Sequence, residues 1–304
     1  SCSHGSGGLF CLGRGGWSCR GRLRLQAVGS TVRARYAEPT VTVEIAGRNQ
    51  RVQRMRRLAR DRDLRQAEGR YVVEGPMLVE QAIRAGLDLE QLLVPVSASR
   101  EGIVAIAEAA GVPCGLVEDG IFDGITSTRS AQPAIAEVCE HHVDGADLTA
   151  GRGTLLVLAE VSDPGNAGTL VRTAEAFGVD GVVFAGGVDP YNPKVVRSAA
   201  GSTFRVPFAV ASGNDVVPLV LTALTAAGYS CWATVPDGGG TPEEVPVDMP
   251  VALLLGNEPR GLSPEVVAAC DGTLTVPTVG EVESLNVATA GAVLLSGLQQ
   301  ITGR

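Results

Sequence analysis

The sequence predicts an α/β protein in two parts, the second built on a parallel sheet. Three observations predict this. Apolar runs bounded by Gly and Pro alternate with segments of helical periodicity along most of the chain. The runs of the second half, such as TLLVLAEV at 154–161 and VALLL at 251–255, are apolar at consecutive positions, as in strands buried on both faces. At 304 residues the chain is long enough for two domains of ordinary size.

Residues 1–45 stand apart. Ser, Gly, Cys and Arg dominate there, and no acidic residue precedes Glu38. No apolar core follows the basic residues, so a secretory signal is excluded. A transit-like segment, a disordered tail and a misassigned extension remain open. From Asn49 the spacing of Val52, Met55 and Leu58 predicts a helix, with Arg at most other positions. A strand at 71–75 and a helix from Pro76 to Gly86 follow, Pro opening and Gly closing the helix. The pattern then gives a strand at 89–95, a helix at 101–111, a strand at 112–117, a short turn of helix near 121–126 and a strand at 133–138. This is a small α/β domain over residues 46–143. Val143 to Gly153 has three Gly and no periodicity, and reads as a linker.

The second domain, 151–304, repeats the alternation on a larger scale. Strands are expected at 154–161, 181–187, 203–210, 229–236, 251–256 and 273–277. Helices are expected at 166–177, 192–201 and 216–228, and from about Leu285 to the end. A parallel sheet covered by helices on both sides is the economical arrangement.

Charge is divided unevenly. The net charge of −8 arises entirely after Gly151, where seven basic residues face fifteen acidic ones. Between Arg48 and Arg70 there are nine Arg and three acids. A basic segment on an acidic protein points to a phosphate-bearing partner; a solvated helix face is the plainer alternative. Arg48, Arg51, Arg54 and Arg57 are the candidate RNA contacts. No stretch reaches the length of a membrane span, so a soluble protein is expected. Seven Cys without a C-x-x-C pair fit a reducing compartment, the cytoplasm, rather than a disulfide framework. His141-His142 lacks the spacing of a zinc site, and no metal is expected.

The chemistry concentrates at strand ends. Gly256 and Gly261 have the glycine spacing of a P-loop, but Leu262-Ser263 stands where Lys and Ser/Thr are required. No G-x-G-x-x-G follows the first strand of either domain, which opposes a nicotinamide site. No nucleophile elbow has a His available, because all three histidines lie outside the second domain. What remains is a crevice of polar groups. Asn166 lies at the mouth of a helix, as an anion contact or a simple N-cap. Arg172 sits within that helix, in a domain poor in cations, as an oxyanion ligand or one half of an ion pair. Glu258 follows the strand at 251–255. Ser284 and Asn286 precede the last helix, where Ser284 is the expected cap.

Three stretches, SDPGNAGTLVRTAEAFG (162–178), LLLGNEPRGLSPE (253–265) and LTVPTVGEVESLNVATAGAVLL (274–295), resemble in order and spacing the three motifs of the SpoU (TrmH-type) RNA 2′-O-ribose methyltransferases. The second domain is similar to the SPOUT catalytic domain, and the first to the ribosomal-protein-like RNA-binding domain that precedes it in rRNA-modifying members. The resemblance implies a deep trefoil knot, an exception to unknotted topology. It implies S-adenosyl-L-methionine as methyl donor, its adenosine held by backbone at Gly256, Val276 and Leu285. It also implies a homodimer, with catalytic residues Arg172, Asn166, Glu258, Ser284 and Asn286. Pro259 departs from the Gly of many relatives. Ribosomal RNA is the favoured substrate and transfer RNA the runner-up. A retired, non-catalytic RNA-binding protein or a nucleotide-binding oxidoreductase are the readings from other classes.

Overall fold

The structure, a computed structural model, describes residues 43–45, 49–98, 102–126, 132–151, 153–280 and 284–302. Two sheets organise it. The first joins β1 (Val43–Ile45), β2 (Arg70–Glu74), β3 (Leu89–Pro95), β4 (Cys114–Val117) and β5 (Ile135–Cys139) in the order β1-β4-β3-β5-β2. Its β1, β4 and β3 run parallel, whereas β5 is antiparallel to both β3 and β2. Strand β1 falls within the segment that sequence reading sets outside the fold; it pairs with β4 from Val43↔Gly115 to Ile45↔Val117. Helices α1 (Gln50–Arg60), α2 (Arg62–Glu68), α3 (Pro76–Arg84), α4 (Gly102–Ala109) and α5 (Asp119–Asp123) cover this sheet. The single helix expected after Asn49 is two. Asp61 breaks it in an extended conformation, and its side chain caps α2 through the Leu64 N–H. Val52, Met55 and Leu58 are fully buried on one face of the first sheet, against Val72, Leu93 and Ile135.

The second sheet is parallel throughout, in the order β11-β9-β10-β6-β7-β8. Its strands are β6 (Thr154–Ala159), β7 (Gly181–Ala185), β8 (Phe208–Ala211), β9 (Ser230–Thr234), β10 (Val251–Leu255) and β11 (Gly272–Leu274). Leu156 and Leu158 of β6 face one layer, Leu155 and Val157 the other, and all are buried. A run apolar at every position is what a sheet covered on both faces demands. The covering helices are α6 (Gly145–Thr149), α7 (Pro164–Ala176), α8 (Pro193–Ser198), α9 (Val216–Ala226), α10 (Pro264–Ala268) and α11 (Val287–Thr302).

Two sequence expectations are corrected here. The linker contains α6, a short helix capped by Asp144, whose Leu148 is buried against Leu155 and Val183. One buried apolar side chain, Leu148, left no periodicity to read. The strand expected at 203–210 is confined to β8, because Ser202–Phe204 forms a 3-10 turn entered through Gly201 at φ +89°.

The sheets share a core that runs from Tyr71 and Val73 to Val195 and Phe208. Polar bonds fix their register. Arg65, 3 % exposed, reaches Asp189 at 2.7 and 2.8 Å and donates to the Leu58 carbonyl at 2.7 Å. Arg197 on α8 meets the buried Glu74 of β2 at 2.7 Å. His141 and His142 belong to the same junction. Their backbone N–H groups both donate to the Tyr191 hydroxyl at 2.9 Å, and His141 Nε2 lies 2.8 Å from the Thr203 carbonyl. Burial lowers the pKa of both rings.

Candidate methyl-donor and RNA site

Strands β6, β7 and β8 are laid down in one direction, and the chain then returns to place β9 and β10 on the other side of β6. The switch point of the second sheet is therefore the gap between β6 and β10. Ligands of open α/β sheets bind at the carboxyl ends of strands at such a point. The loops after β6 and β10 meet there through Glu258. Its carboxylate accepts the Ser162 N–H at 3.0 Å, the Ser162 hydroxyl at 2.8 Å, the Asp163 N–H at 3.0 Å and the Asn166 amide at 3.0 Å. Asn286, just before α11, donates to the Asn166 side-chain oxygen at 3.0 Å. All three polar stretches singled out by sequence thus join one network. Burial opposes ionisation of Glu258, but the donors of Asn166, Ser162 and Asp163 outweigh it and hold the carboxyl at about 2.

Two capping assignments change. Asp163 caps α7, accepting the Asn166 N–H at 2.9 Å, so the helix begins at Pro164 and Asn166 is its third residue. The Asn166 side chain is thereby freed to bridge Glu258 and Asn286. At the last helix Asn286, not Ser284, is the cap. Its side-chain oxygen accepts the N–H groups of Ala288 at 2.9 Å and Thr289 at 3.3 Å. Ser284 is exposed and lines the cleft instead.

That cleft has a volume of about 310 Å³ and lies at the ends of β9, β10 and β11. Gly256, Val276 and Leu285, the three positions expected to hold an adenosine, all line it together with Glu258 and Ser284. Its apolar floor, with Leu255, Leu274 and Leu294, suits a purine, and its size is that of small-molecule sites, roughly 300–1,000 Å³. Gly256 is dictated by space: a Cβ there would lie 2.5 Å from the Gly261 carbonyl carbon and 2.6 Å from the Leu262 nitrogen. The returning turn closes through the Gly261 N–H to the Asn257 carbonyl at 2.8 Å, with Gly261 at φ +66°. The residues fit a nucleoside-type donor held largely by backbone.

Arg172 projects from the exposed side of α7 and makes no hydrogen bond or ion pair among the described residues. The ion-pair reading of this residue therefore has no partner there. The structure does not bring Arg172 to the lining of the cleft. Among the expected RNA contacts, Arg51 and Arg57 are exposed, and Arg48 lies outside the described residues. Arg54 pairs with Glu68 and with the buried Glu137, so its charge is engaged within the fold. Sequence reasoning missed Ser162, whose hydroxyl and N–H both serve Glu258; its place directly after a strand was the available signal. One described trio has metal-ligand spacing, Asp88, Glu90 and Cys139. Its members are engaged with one another and with Arg70, the thiol lying 3.1 Å from Asp88 and Glu90 2.7 Å from Arg70.

A parallel sheet with a nucleoside-sized cleft beside its switch point, at the ends of β9, β10 and β11, joined through a shared core to a smaller α/β domain, defines a ligand-binding α/β protein. The SpoU rRNA Methylase family model matches residues 153–296, and the MRM3-like substrate binding domain matches residues 49–136. The chain is 34% identical over 255 residues to the 23S rRNA (guanosine(2553)-2′-O)-methyltransferase RlmP of Bacillus subtilis, covering 84% of this chain and 98% of that one. It is 31% identical to the 23S rRNA (uridine(2479)-2′-O)-methyltransferase of Streptomyces viridochromogenes, over 90% of this chain and 98% of the other. The crystal structure of the SpoU methyltransferase AviRb from Streptomyces viridochromogenes with AdoMet superposes with a TM-score of 0.74 at 27% identity, over 84% of this chain and all of that one. The chain belongs to the SpoU rRNA methylase family.

Proposed function

We propose that the protein transfers a methyl group from S-adenosylmethionine to a ribose 2′-hydroxyl of structured RNA, with 23S-type ribosomal RNA as substrate. One observation carries the reading: two of the three stretches of the SpoU resemblance line the cleft, and Asn286, Asn166 and Glu258 link all three by direct hydrogen bonds. The likeness to two 23S rRNA 2′-O-methyltransferases over most of the chain supports the same substrate.

When bound, the donor supplies a methyl group already made electrophilic by its sulfonium. The protein's task is then to hold the ribose oxygen in line and ease its proton away. Gly256, Val276 and Leu285 hold the adenosine. Glu258, Asn166 and Asn286 keep the loops after β6 and β10 and the start of α11 in register. Ser284 presents its hydroxyl to the cleft. A guanidinium is a poor base at neutral pH. Arg172 acts instead as a clamp on the phosphate of the target nucleotide, orienting and polarising the 2′-hydroxyl.

Residues 46–143 bind the RNA, with Arg51 and Arg57 offering phosphate contacts, and residues 151–304 carry the chemistry. The active protein is a homodimer whose second copy completes the site around Arg172, and the loops after β10 and β11 form the knot that the family resemblance implies. Light scattering at the 31.3 kDa of a single chain would remove the dimer. A cytoplasmic setting goes with a ribosomal RNA substrate; among the described residues no helix is long and apolar enough to cross a membrane. The decisive experiment is transfer of labelled methyl to total RNA, followed by mapping of the product. A single 2′-O-methylated nucleotide in 23S RNA is expected; methylation of a base overturns the class of reaction.

A further inference from the structure

We propose that Arg260 grips the carboxylate of the methyl donor's amino-acid tail. The inference rests on the donor reading of the cleft. A purine and a ribose can be held by backbone and apolar contacts, but the zwitterionic tail ends in a carboxylate as well as an ammonium, and the carboxylate is a full negative charge. A charge taken from water into a cleft needs a donor of opposite sign.

Two described lining residues are charged, Glu258 and Arg260. Glu258 has the wrong sign, and its two oxygens are already taken by the neutral donors of Ser162, Asp163 and Asn166. Arg260 is held differently. Its base is fixed: its own N–H donates to the Asn257 side-chain oxygen at 3.3 Å, and Pro259 before it restricts the turn. Asn257, 6 % exposed, is anchored in turn by its amide to the Glu160 carbonyl at 2.9 Å. Glu160 adopts φ +55°, a conformation that a non-glycine residue holds only where its surroundings enforce it.

The guanidinium itself is loosely engaged. Its Nε lies 3.4 Å from Asn257 Oδ1 and its Nη2 3.5 Å from Glu160 Oε2, both at the long limit of a hydrogen bond. A guanidinium has five N–H groups, so most of them are unspent among the described residues. The result is a fork with a fixed base, paired only at 3.5 Å with Glu160, at a cleft whose described lining holds no other cation. Such a fork matches a carboxylate in a bidentate manner.

The test compares two ligands by titration calorimetry. S-adenosylhomocysteine carries the aminocarboxylate tail; 5′-methylthioadenosine has the same adenosine and thioether without it. Replacing Arg260 with Met is expected to weaken S-adenosylhomocysteine about tenfold, while methylthioadenosine stays within about twofold. Arg260→Lys, which keeps the charge and loses the fork, falls between. The wild-type preference for the tailed ligand shrinks as salt is raised. Loss of both ligands alike, or of neither, overturns the proposal. Weakened RNA binding with unchanged S-adenosylhomocysteine assigns Arg260 to RNA and overturns it too. A wild-type protein that binds neither ligand removes the donor reading itself, a separate outcome.

Discussion

The arginines of α1 and α2 and the single arginine of α7 are treated in opposite ways. On α1 and α2, Arg54 and Arg65 are spent on the carboxylates of Glu137 and Asp189, while Arg56 and Arg60 donate to the carbonyls of Ile121 and Gly124. On α7, Arg172 is exposed and unengaged among the described residues, although α7 packs against both α8 and α11. The carboxylates follow the same division. Glu137 and Asp189 are neutralised by arginine, whereas Glu258 is satisfied by neutral N–H and O–H donors alone. An arginine-rich segment is therefore largely structural here, and the isolated Arg172 is left available for a ligand.

The sharpest way to break that contrast is Arg65→Met. It leaves Asp189 buried with the Tyr191 N–H at 2.9 Å but no opposite charge, and the expected loss is about 3–5 kcal/mol in urea unfolding. Pairing it with Asp189→Leu should recover most of the loss, because two apolar residues leave no orphaned charge. A single variant as stable as the wild type would show that the pair does not hold the junction. Arg172→Ala should do the reverse: no change in melting temperature, and methyl transfer slowed about 10²–10³-fold, the magnitude of a lost electrostatic contact to the reacting group. Arg172→Lys distinguishes charge from geometry. Transfer near the wild-type rate would show that the planar fork is unnecessary.

The fold was readable wherever burial imposed a period. Leu155 to Leu158 and Leu253 to Leu255, buried on both faces of the sheet, mark a parallel sheet in the sequence itself. Helix α6 was not readable, since Leu148 alone anchors it. At the site, residue types and spacing singled out Asn166, Glu258 and Asn286, and the structure joins them. Their division of labour was not legible. Whether Asp163 or Asn166 caps α7 depends on where the chain leaves β6, and a side chain freed from capping is what bridges two loops. Nor could composition show that Arg54 is neutralised, because Glu137 is 83 residues away in sequence.

The carboxylate side of the contrast predicts a pH dependence. Glu258 titrates near 2 in the fold, against an ordinary value of 4.5. A depressed folded value means that the ionised group contributes stability above about pH 4.5, which is lost as the pH falls toward about 2. Glu258→Gln turns amide hydrogens toward a set of donors, so it should lower the melting temperature at neutral pH. The gap from the wild type should then narrow between about pH 5 and pH 2. A gap that stays constant over that range would mean the network does not depend on the charge.

The smallest expected effect separates the arginines within α1 itself. Arg57 is exposed and makes no side-chain bond among the described residues, while Arg54, one turn earlier, holds Glu137. Removing a phosphate contact weakens RNA binding about equally for all sequences and reduces the salt slope by about 1. Arg57→Ala should show that signature with an unchanged melting temperature. Arg54→Ala should instead lower the melting temperature, since it strands Glu137 with only the Gln91 amide at 2.8 Å. If Arg54→Ala changed the salt slope and left stability alone, the two residues would be equivalent on the surface. The division between structural and ligand-facing arginines would then fail inside the very helix where it is drawn most finely.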